Sequence, residues 1–150
     1  MSGEHTQSEP CQVDFYLLGE ASPGADKLAC RLALMALEHN QKVFIIAPSE
    51  ASAGQLDELM WQYPEGRFVP HARSGSEDSA RAPVNIGTLT TLKAAEVVIN
   101  LCPEAVPRPK TFSRVLEIVP AAEDEREASR VKYRNYRNQG LVPRTHEINK

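Results

Sequence analysis

Residues 13–48 read VDFYLLGEASPGADKLACRLALMALEHNQKVFIIAP and decide the fold of this 150-residue chain. Val13–Leu18 is rich in β-branched and aromatic side chains, which predicts a strand. From Ala25 the apolar residues recur at the spacing of one helical face, and Asn40 ends this predicted helix. Lys42–Ala47 is a second predicted strand, and its apolar centre indicates burial on both faces. Strand, helix and strand form a βαβ unit, so the chain is predicted to be α/β with a mainly parallel sheet.

The rest of the chain continues this α/β pattern. The further predicted elements are a helix from the Ser49 cap to about Gln62, strands at Pro83–Gly87, Val97–Leu101 and Val115–Val119, and a helix at Glu123–Asn138. Arg67–His71 is expected to be a short extended segment, followed by a loop over 72–83, and Thr88–Ala95 a helical turn or loop. Prolines between Cys102 and Lys110 predict irregular backbone, because proline lacks an amide donor and fixes φ.

One domain is expected over residues 13–140, because a chain of this length can bury a single core. Residues 1–12 are polar, lack the apolar core of a signal peptide and predict a flexible tail, and residues 141–150 predict a second tail. No apolar run approaches the ~18 residues of a membrane span, so a cytoplasmic protein is expected. Cys30 and Cys102 have apolar neighbours and are predicted to be buried thiols.

Charge is distributed unevenly along the sequence. Residues 126–150 contain seven Lys or Arg against two acids, a net charge of +5, whereas residues 1–125 contain ten against eighteen, a net charge of −8. A basic C-terminal segment on an acidic body favours a local anionic partner. It argues against a protein that coats nucleic acid, because the whole binding face of such a protein would be basic.

The motifs of cofactor, metal and catalytic sites are missing. Gly19 and Gly24 have the gap of a Walker A loop, but Ala25-Asp26-Lys27 stands where that motif requires Gly-Lys-Ser/Thr. Asp26 is instead expected to cap the first helix. The four histidines show no ligand spacing with cysteines or acids. No nucleophile is paired with a base at recognisable spacing, so the residues give no positive argument for an enzyme.

A stripe of arginines lies along the final predicted helix. Its members are Arg126, Arg130, Arg134 and Arg137, with Tyr133 at the margin and Ala128, Val131 and Tyr136 expected to face the body. At 100° per residue the four arginines project within about 80° of one another. Guanidinium forks beside a tyrosine ring suit a ligand that combines acids with an aromatic or apolar end. A solvated face whose arginines pair with acids of the body is the alternative.

A second group of apolar residues surrounds the single tryptophan. Its members are Leu59, Met60, Trp61, Tyr63, Phe68, Val69 and Pro70. The group lies at a helix end followed by a loop, where complete burial is difficult. Aromatic residues in such positions are frequent interface anchors, and ordinary core packing under the loop is the alternative.

In order and spacing, several segments resemble the chi subunit of bacterial DNA polymerase III. The resemblance extends from about Val13 to Thr145. It rests on Phe15-Tyr16-Leu17-Leu18, Leu56-Asp57 through Trp61, Phe68-Val69-Pro70-His71, Pro83-Val84, and Arg130 through Tyr136-Arg137. The segment from Cys102 to Lys110 departs from the family's more helical stretch. The resemblance implies an α/β fold similar to mononucleotide-binding domains, without a phosphate loop.

The resemblance also implies two protein partners, no cofactor and no catalytic site. Chi proteins join the clamp loader by pairing with the psi subunit. They also bind the acidic C-terminal tail of single-stranded DNA-binding protein, which ends in phenylalanine with its free carboxylate. The implied tail site comprises Arg130, Tyr133, Arg134, Arg137 and Thr145, and the implied psi site comprises Trp61, Phe68, Val69, Pro70 and His71. Arg134 stands where the family has lysine, which keeps the charge and changes the donor geometry.

The sequence is therefore interpreted as a DNA replication accessory subunit of a polymerase assembly. It would be a non-catalytic adaptor at the bacterial replication fork that reaches DNA through its partners. A direct single-stranded nucleic-acid binding module would use the same Arg and Tyr face on phosphates and bases. A small nucleotide-dependent enzyme would need a phosphate cradle, which the sequence lacks.

Overall fold

The computed structural model describes residues 10–20 and 24–148, and most of the expected N-terminal tail lies outside them. The helices are α1 (Ala25–Glu38), α2 (Glu50–Met60) and α3 (Glu123–Asn138). The strands are β1 (Gln12–Leu18), β2 (Val43–Ile46), β3 (His71–Arg73), β4 (Val84–Gly87), β5 (Val97–Asn100), β6 (Arg114–Val119) and β7 (Arg144–Ile148). Leu89–Thr91 and Pro109–Thr111 form short 3₁₀ helices.

The strands of the described residues form one sheet in the order β3-β4-β2-β5-β6-β1-β7. Each neighbouring pair in this sheet is parallel. The predicted α/β class with a mainly parallel sheet is therefore confirmed. Strands β1 and β2 are not neighbours, because β6 and β5 lie between them, so the connection through α1 passes over two strands.

Helices cover both faces of the sheet. Alternate residues of a strand point to opposite faces, so β2 contributes to two hydrophobic clusters. Val43 and Ile45 pack in the cluster that contains α1 and α2, whereas Phe44 and Ile46 pack in the cluster that contains Tyr136 of α3. Because every β2 residue is buried, this strand is apolar throughout, as its sequence predicted.

Local signals account for most of the helix ends. The Ser49 hydroxyl accepts a hydrogen bond from the Ser52 amide at 3.1 Å, which confirms the predicted cap of α2. Asn40 has a positive φ of 60° just beyond α1, as suits a residue that ends a helix. The expectation for Asp26 was wrong, because Gly24 occupies the N-cap position of α1. The predicted burial of the thiols is confirmed, and burial raises the pKa of Cys30 to about 12 and that of Cys102 to about 11.

Two strands differ from the prediction, and both lie at edges of the sheet. The three-residue β3 begins at His71, where an extended segment was expected to give way to a loop, and it is too short to show periodicity. The tail expected over 141–150 was wrong, because it contains β7. Isoleucine is the single large apolar residue of β7, since an edge strand buries few side chains. Within the described residues, no helix is long and apolar enough to cross a membrane.

Candidate functional site

A hollow of about 190 Å³ lies between α3 and the neighbouring strands β1 and β7. The residues that line it are Phe15, Leu17, Arg126, Ser129, Arg130, Tyr133 and Thr145. Strand β1 supplies the apolar residues of this lining, and α3 supplies both guanidinium groups. The hollow therefore offers apolar surface and positive charge to the same ligand.

Aromatic packing fixes the apolar side of the hollow. The buried Phe15 ring contacts Tyr133 and Tyr136 of α3, with ring centroids 5.5 and 6.0 Å apart. The Tyr133 hydroxyl donates to the Pro143 carbonyl at 3.4 Å, so the ring is also tied to the segment between α3 and β7. A lining held by both the strand and the helix is preorganised, which lowers the entropy lost on binding.

Strand pairing brings Thr145 into the hollow. In the parallel register of β1 and β7, Thr145 lies opposite Phe15. The structure thus gathers Arg130, Tyr133 and Thr145, three of the residues that the resemblance implied for the tail site. Thr145 depends on β7, the strand that hydrophobic periodicity did not reveal.

Arg126 belongs to the arginine stripe, although it was not among the implied tail-site residues. Its Nη2 donates to the Leu18 carbonyl at 2.9 Å, which holds the half-buried side chain beside the hollow. Its Nε is buried and has no hydrogen-bond partner within the described part of the chain. A buried donor without a partner is unfavourable, so the Nη2 hydrogen bond to Leu18 is the contact that stabilises this side chain beside the hollow.

Arg130 lies at the rim of the hollow and faces two carboxylates of its own helix. Its Nη1 is 2.5 Å from Glu127 Oε1 and 3.5 Å from Glu123 Oε2. Glu127 and Glu123 therefore offset part of the positive charge at this point of the stripe. The Arg130 side chain is 54% exposed, and ion pairs at such surfaces contribute little free energy.

Arg134 and Arg137 are exposed on α3 and do not line the hollow. The stripe extends along the whole helix, whereas the hollow is bounded by the helical turns that carry Arg126, Ser129 and Arg130. The two remaining arginines add positive charge beyond the hollow rather than direct contacts within it.

A charged network that the sequence analysis did not identify is buried beneath α3. Lys132 Nζ donates to Glu117 Oε1 at 2.6 Å and to the Cys102 carbonyl at 2.8 Å. The two side chains are 6% and 0% exposed. Asn100 Nδ2 donates to Glu117 Oε2 at 2.9 Å, so this network joins β5, β6 and α3.

Tyr136 completes this network. Its hydroxyl donates to Glu117 Oε2 at 2.5 Å and accepts a hydrogen bond from the Val106 amide at 2.8 Å. Burial and the adjacent carboxylate raise the pKa of Tyr136, so the phenol remains a donor. The prediction that Tyr136 faces the body is confirmed. The same prediction for Val131 was wrong, because Lys132 takes the inward position and Val131 is 53% exposed.

Asp14 anchors β7, the strand that carries Thr145. Its buried carboxylate accepts from His146 Nε2 at 2.8 Å and from Arg114 Nη2 at 2.9 Å. Burial raises the pKa of Asp14, but the hydrogen bonds from His146 and Arg114 outweigh burial and leave the pKa below its ordinary 3.8. The ionised form is therefore stabilised in the folded protein.

We expect Asp14→Asn to reduce the free energy of unfolding by about 1–3 kcal/mol at neutral pH, the scale of a charged hydrogen bond. A carboxyl group whose pKa is lowered on folding stabilises above its unfolded pKa of about 4, and this stabilisation is lost as the pH falls through the folded value. Urea denaturation of both proteins should show a difference that shrinks below about pH 4. A difference that is constant with pH would contradict the assigned role.

The second candidate surface consists of Trp61 and Phe68, which are 57% and 64% exposed. Their ring centroids are 6.0 Å apart, and the Trp61 ring lies 4.6 Å from the imidazole of His71. The buried His71 donates from Nδ1 to the Val69 carbonyl at 2.7 Å, and its Nε2 lies 3.3 Å from Asp57 Oδ1. A fixed imidazole thus supports an exposed aromatic pair.

The residues implied for the psi site divide between surface and interior. Trp61, Phe68 and Pro70 are exposed, whereas Val69 is completely buried and the His71 side chain is inaccessible. Residues from Phe68 to His71 therefore alternate outward and inward, as in extended chain. Val69 and His71 support this surface from below and offer no side chain to a partner.

Most of the chain is similar to one family of known proteins. The model of the family described as DNA polymerase III chi subunit, HolC, matches residues 11–144. A Pseudomonas aeruginosa protein named DNA polymerase III subunit chi is 36% identical over 139 residues, which cover 91% of this chain and 96% of that protein. Proteins of the same name from Haemophilus influenzae and Escherichia coli are 32% and 27% identical, each over 85% of this chain and 91% of the relative.

Proposed function

The chain belongs to the DNA polymerase III chi subunit family, and we propose from this premise that it is an adaptor with two separate protein contacts. As a replication accessory subunit it has protein partners in the polymerase complex. One proposed contact is with the acidic tail of single-stranded DNA-binding protein, at the hollow beside α3. The other is with the psi subunit of the clamp loader, at Trp61 and Phe68.

The hollow carries the proposal for the tail, because it combines two guanidinium groups with an apolar aromatic floor. A peptide that ends in phenylalanine with a free carboxylate has the complementary groups. The terminal ring would pack against Phe15, Leu17 and Tyr133, and the carboxylate would accept from Arg126 or Arg130. Charge-assisted hydrogen bonds of this kind are the stronger class, and Arg suits a carboxylate through its fork.

Arg134 and Arg137 have a different part in this proposal. Both are exposed on the same helix face, beyond the hollow, where they would attract the acids that precede the terminal phenylalanine. Solvent-exposed charges act at longer range and are screened by salt. Tail binding should therefore weaken as the salt concentration rises, and these two residues should account for much of that dependence.

We expect Arg130→Ala to weaken binding of a synthetic acidic peptide ending in phenylalanine by about 1.5–3 kcal/mol, the scale of a hydrogen bond to a charged group. Isothermal titration calorimetry would measure this loss. Arg137→Ala is the matched control, because it removes the same charge from the same helix about two turns away. Its effect should be smaller and should vanish at high salt.

Two further measurements separate this function from direct binding of single-stranded nucleic acid. Replacing the free carboxylate of the peptide with an amide should weaken binding if the terminus is recognised. A bare oligonucleotide should bind more weakly than the peptide at the same salt concentration. Unchanged peptide affinity in Arg130→Ala, or tighter binding of the oligonucleotide, would contradict the proposed tail site.

A further inference from the structure

The pairing of Arg130 with two carboxylates of its own helix affects which ligands the hollow can select. Glu127 Oε1 lies 2.5 Å from Arg130 Nη1, and Glu123 Oε2 lies 3.5 Å from both Nη1 and Nη2 of the same guanidinium. These carboxylates occupy the end of the fork that an incoming carboxylate would use. All three side chains are exposed, so the contact can exchange with a ligand.

We propose that Glu127, assisted by Glu123, is a specificity-determining residue that competes with the ligand carboxylate for Arg130. This inference rests on the proposed function of the hollow as an acidic-peptide site. A ligand carboxylate at Arg130 would lie close to Glu127, and like charges at that separation repel. Binding therefore requires the ligand to displace Glu127 from Nη1 or to share the guanidinium with it.

Because Glu127 competes for Arg130, every anion must gain more binding free energy from its contacts in order to bind. This favours ligands that make several contacts. A ligand with one negative charge would meet the full repulsion of Glu127 and gain one ion pair. A peptide that also carries upstream acids and an apolar end gains further contacts from Arg126, from the exposed arginines of α3 and from the aromatic floor. Repulsion of weak binders together with attraction of the right one is a general route to specificity.

Glu127→Gln tests the proposal, with a synthetic peptide of consecutive aspartates ending in phenylalanine as the probe. We expect this variant to bind the peptide about 1.5- to 5-fold more tightly at low salt, the range that exposed ion pairs span. The gain should shrink at high salt because exposed charges are screened. Glu123→Gln should give a smaller gain, since its contact with Arg130 is longer.

Glu77→Gln is the matched control for net charge. Glu77 is exposed in the segment between β3 and β4, at the opposite edge of the sheet from β7. Glu77→Gln makes the same change in net charge as Glu127→Gln and should leave peptide affinity unchanged. In an Arg130→Gln background, Glu127→Gln should no longer tighten binding, because the proposed competition acts through the Arg130 guanidinium.

The outcomes separate this inference from the proposed function. If the unmodified protein does not bind the peptide, the tail site itself is contradicted. If it binds and Glu127→Gln weakens or does not change affinity, Glu127 is a support for Arg130 or a bystander, and the competition is refuted. A gain that persists in the Arg130→Gln background would also refute it, because long-range charge would then be sufficient.

Discussion

Trp61→Ala is expected to abolish co-purification with the psi subunit and to leave binding of the acidic peptide unchanged. Trp61 combines large exposed apolar area with a fixed position, since its ring packs against both Phe68 and the buried His71. Truncation of a central aromatic anchor typically reduces binding free energy by about 2–4 kcal/mol, or roughly 30- to 1,000-fold in affinity. A loss of this size would release psi during washing.

The two candidate surfaces make this prediction selective. Trp61 follows α2, and the hollow lies between α3 and strands β1 and β7, so the variant should not affect the peptide site. Met35→Ala is the matched control, because Met35 is a large exposed apolar residue on α1 that belongs neither to the Trp61–Phe68 pair nor to the lining of the hollow. Retention of psi by Trp61→Ala, measured by capture of purified psi on the immobilised variant, would contradict the assignment.

Most of the fold could be predicted because its signals are local. Strand β2 is apolar throughout since both its faces are buried, and α3 was predicted with its observed ends from the acids at its start and the glycine after it. Strand β7 gave no such signal. It is recruited by pairing with β1 and by the hydrogen bond from His146 to Asp14, and neither interaction is visible as periodicity in the sequence.

The residue types of the candidate sites could be predicted from the sequence, but which of these residues line each surface could not. Helical spacing correctly groups the arginines on one face of α3, but tertiary packing decides which turns of the helix lie beside β1 and β7. That is why Arg126 lines the hollow and Arg137 does not. For the second surface, alternation along Phe68–His71 could have distinguished the exposed residues from Val69 and His71, which are inward.

One feature of the sequence indicates the buried network, namely a glutamate inside an apolar strand. Glu117 lies at the centre of the otherwise apolar run Val115–Val119 of β6, and a carboxylate in that position requires a buried cation and hydrogen-bond donors. Lys132 and Tyr136 are four residues apart, so they share a face of α3, and they supply those groups.

Lys132→Met is expected to reduce the free energy of unfolding by about 3–5 kcal/mol, because it leaves a buried carboxylate without its cation. Glu117 would keep the hydrogen bonds from Tyr136 and Asn100, but the Cys102 carbonyl would also lose its donor. Domains of this size are stable by about 5–15 kcal/mol, so the loss is a large share of the total. Urea denaturation monitored by circular dichroism would measure it.

The double variant Glu117→Leu/Lys132→Met provides the decisive control. Replacing both members of a buried ion pair with apolar residues is often nearly neutral, because neither charge then remains without a partner. The double variant should therefore regain much of the stability that Lys132→Met loses, although it leaves the Tyr136 hydroxyl and Asn100 without their acceptor. The losses in free energy of unfolding caused by Glu117→Leu and by Lys132→Met are also measured separately. If the double variant loses the sum of these two values, Lys132 and Glu117 contribute independently, which contradicts a coupled pair.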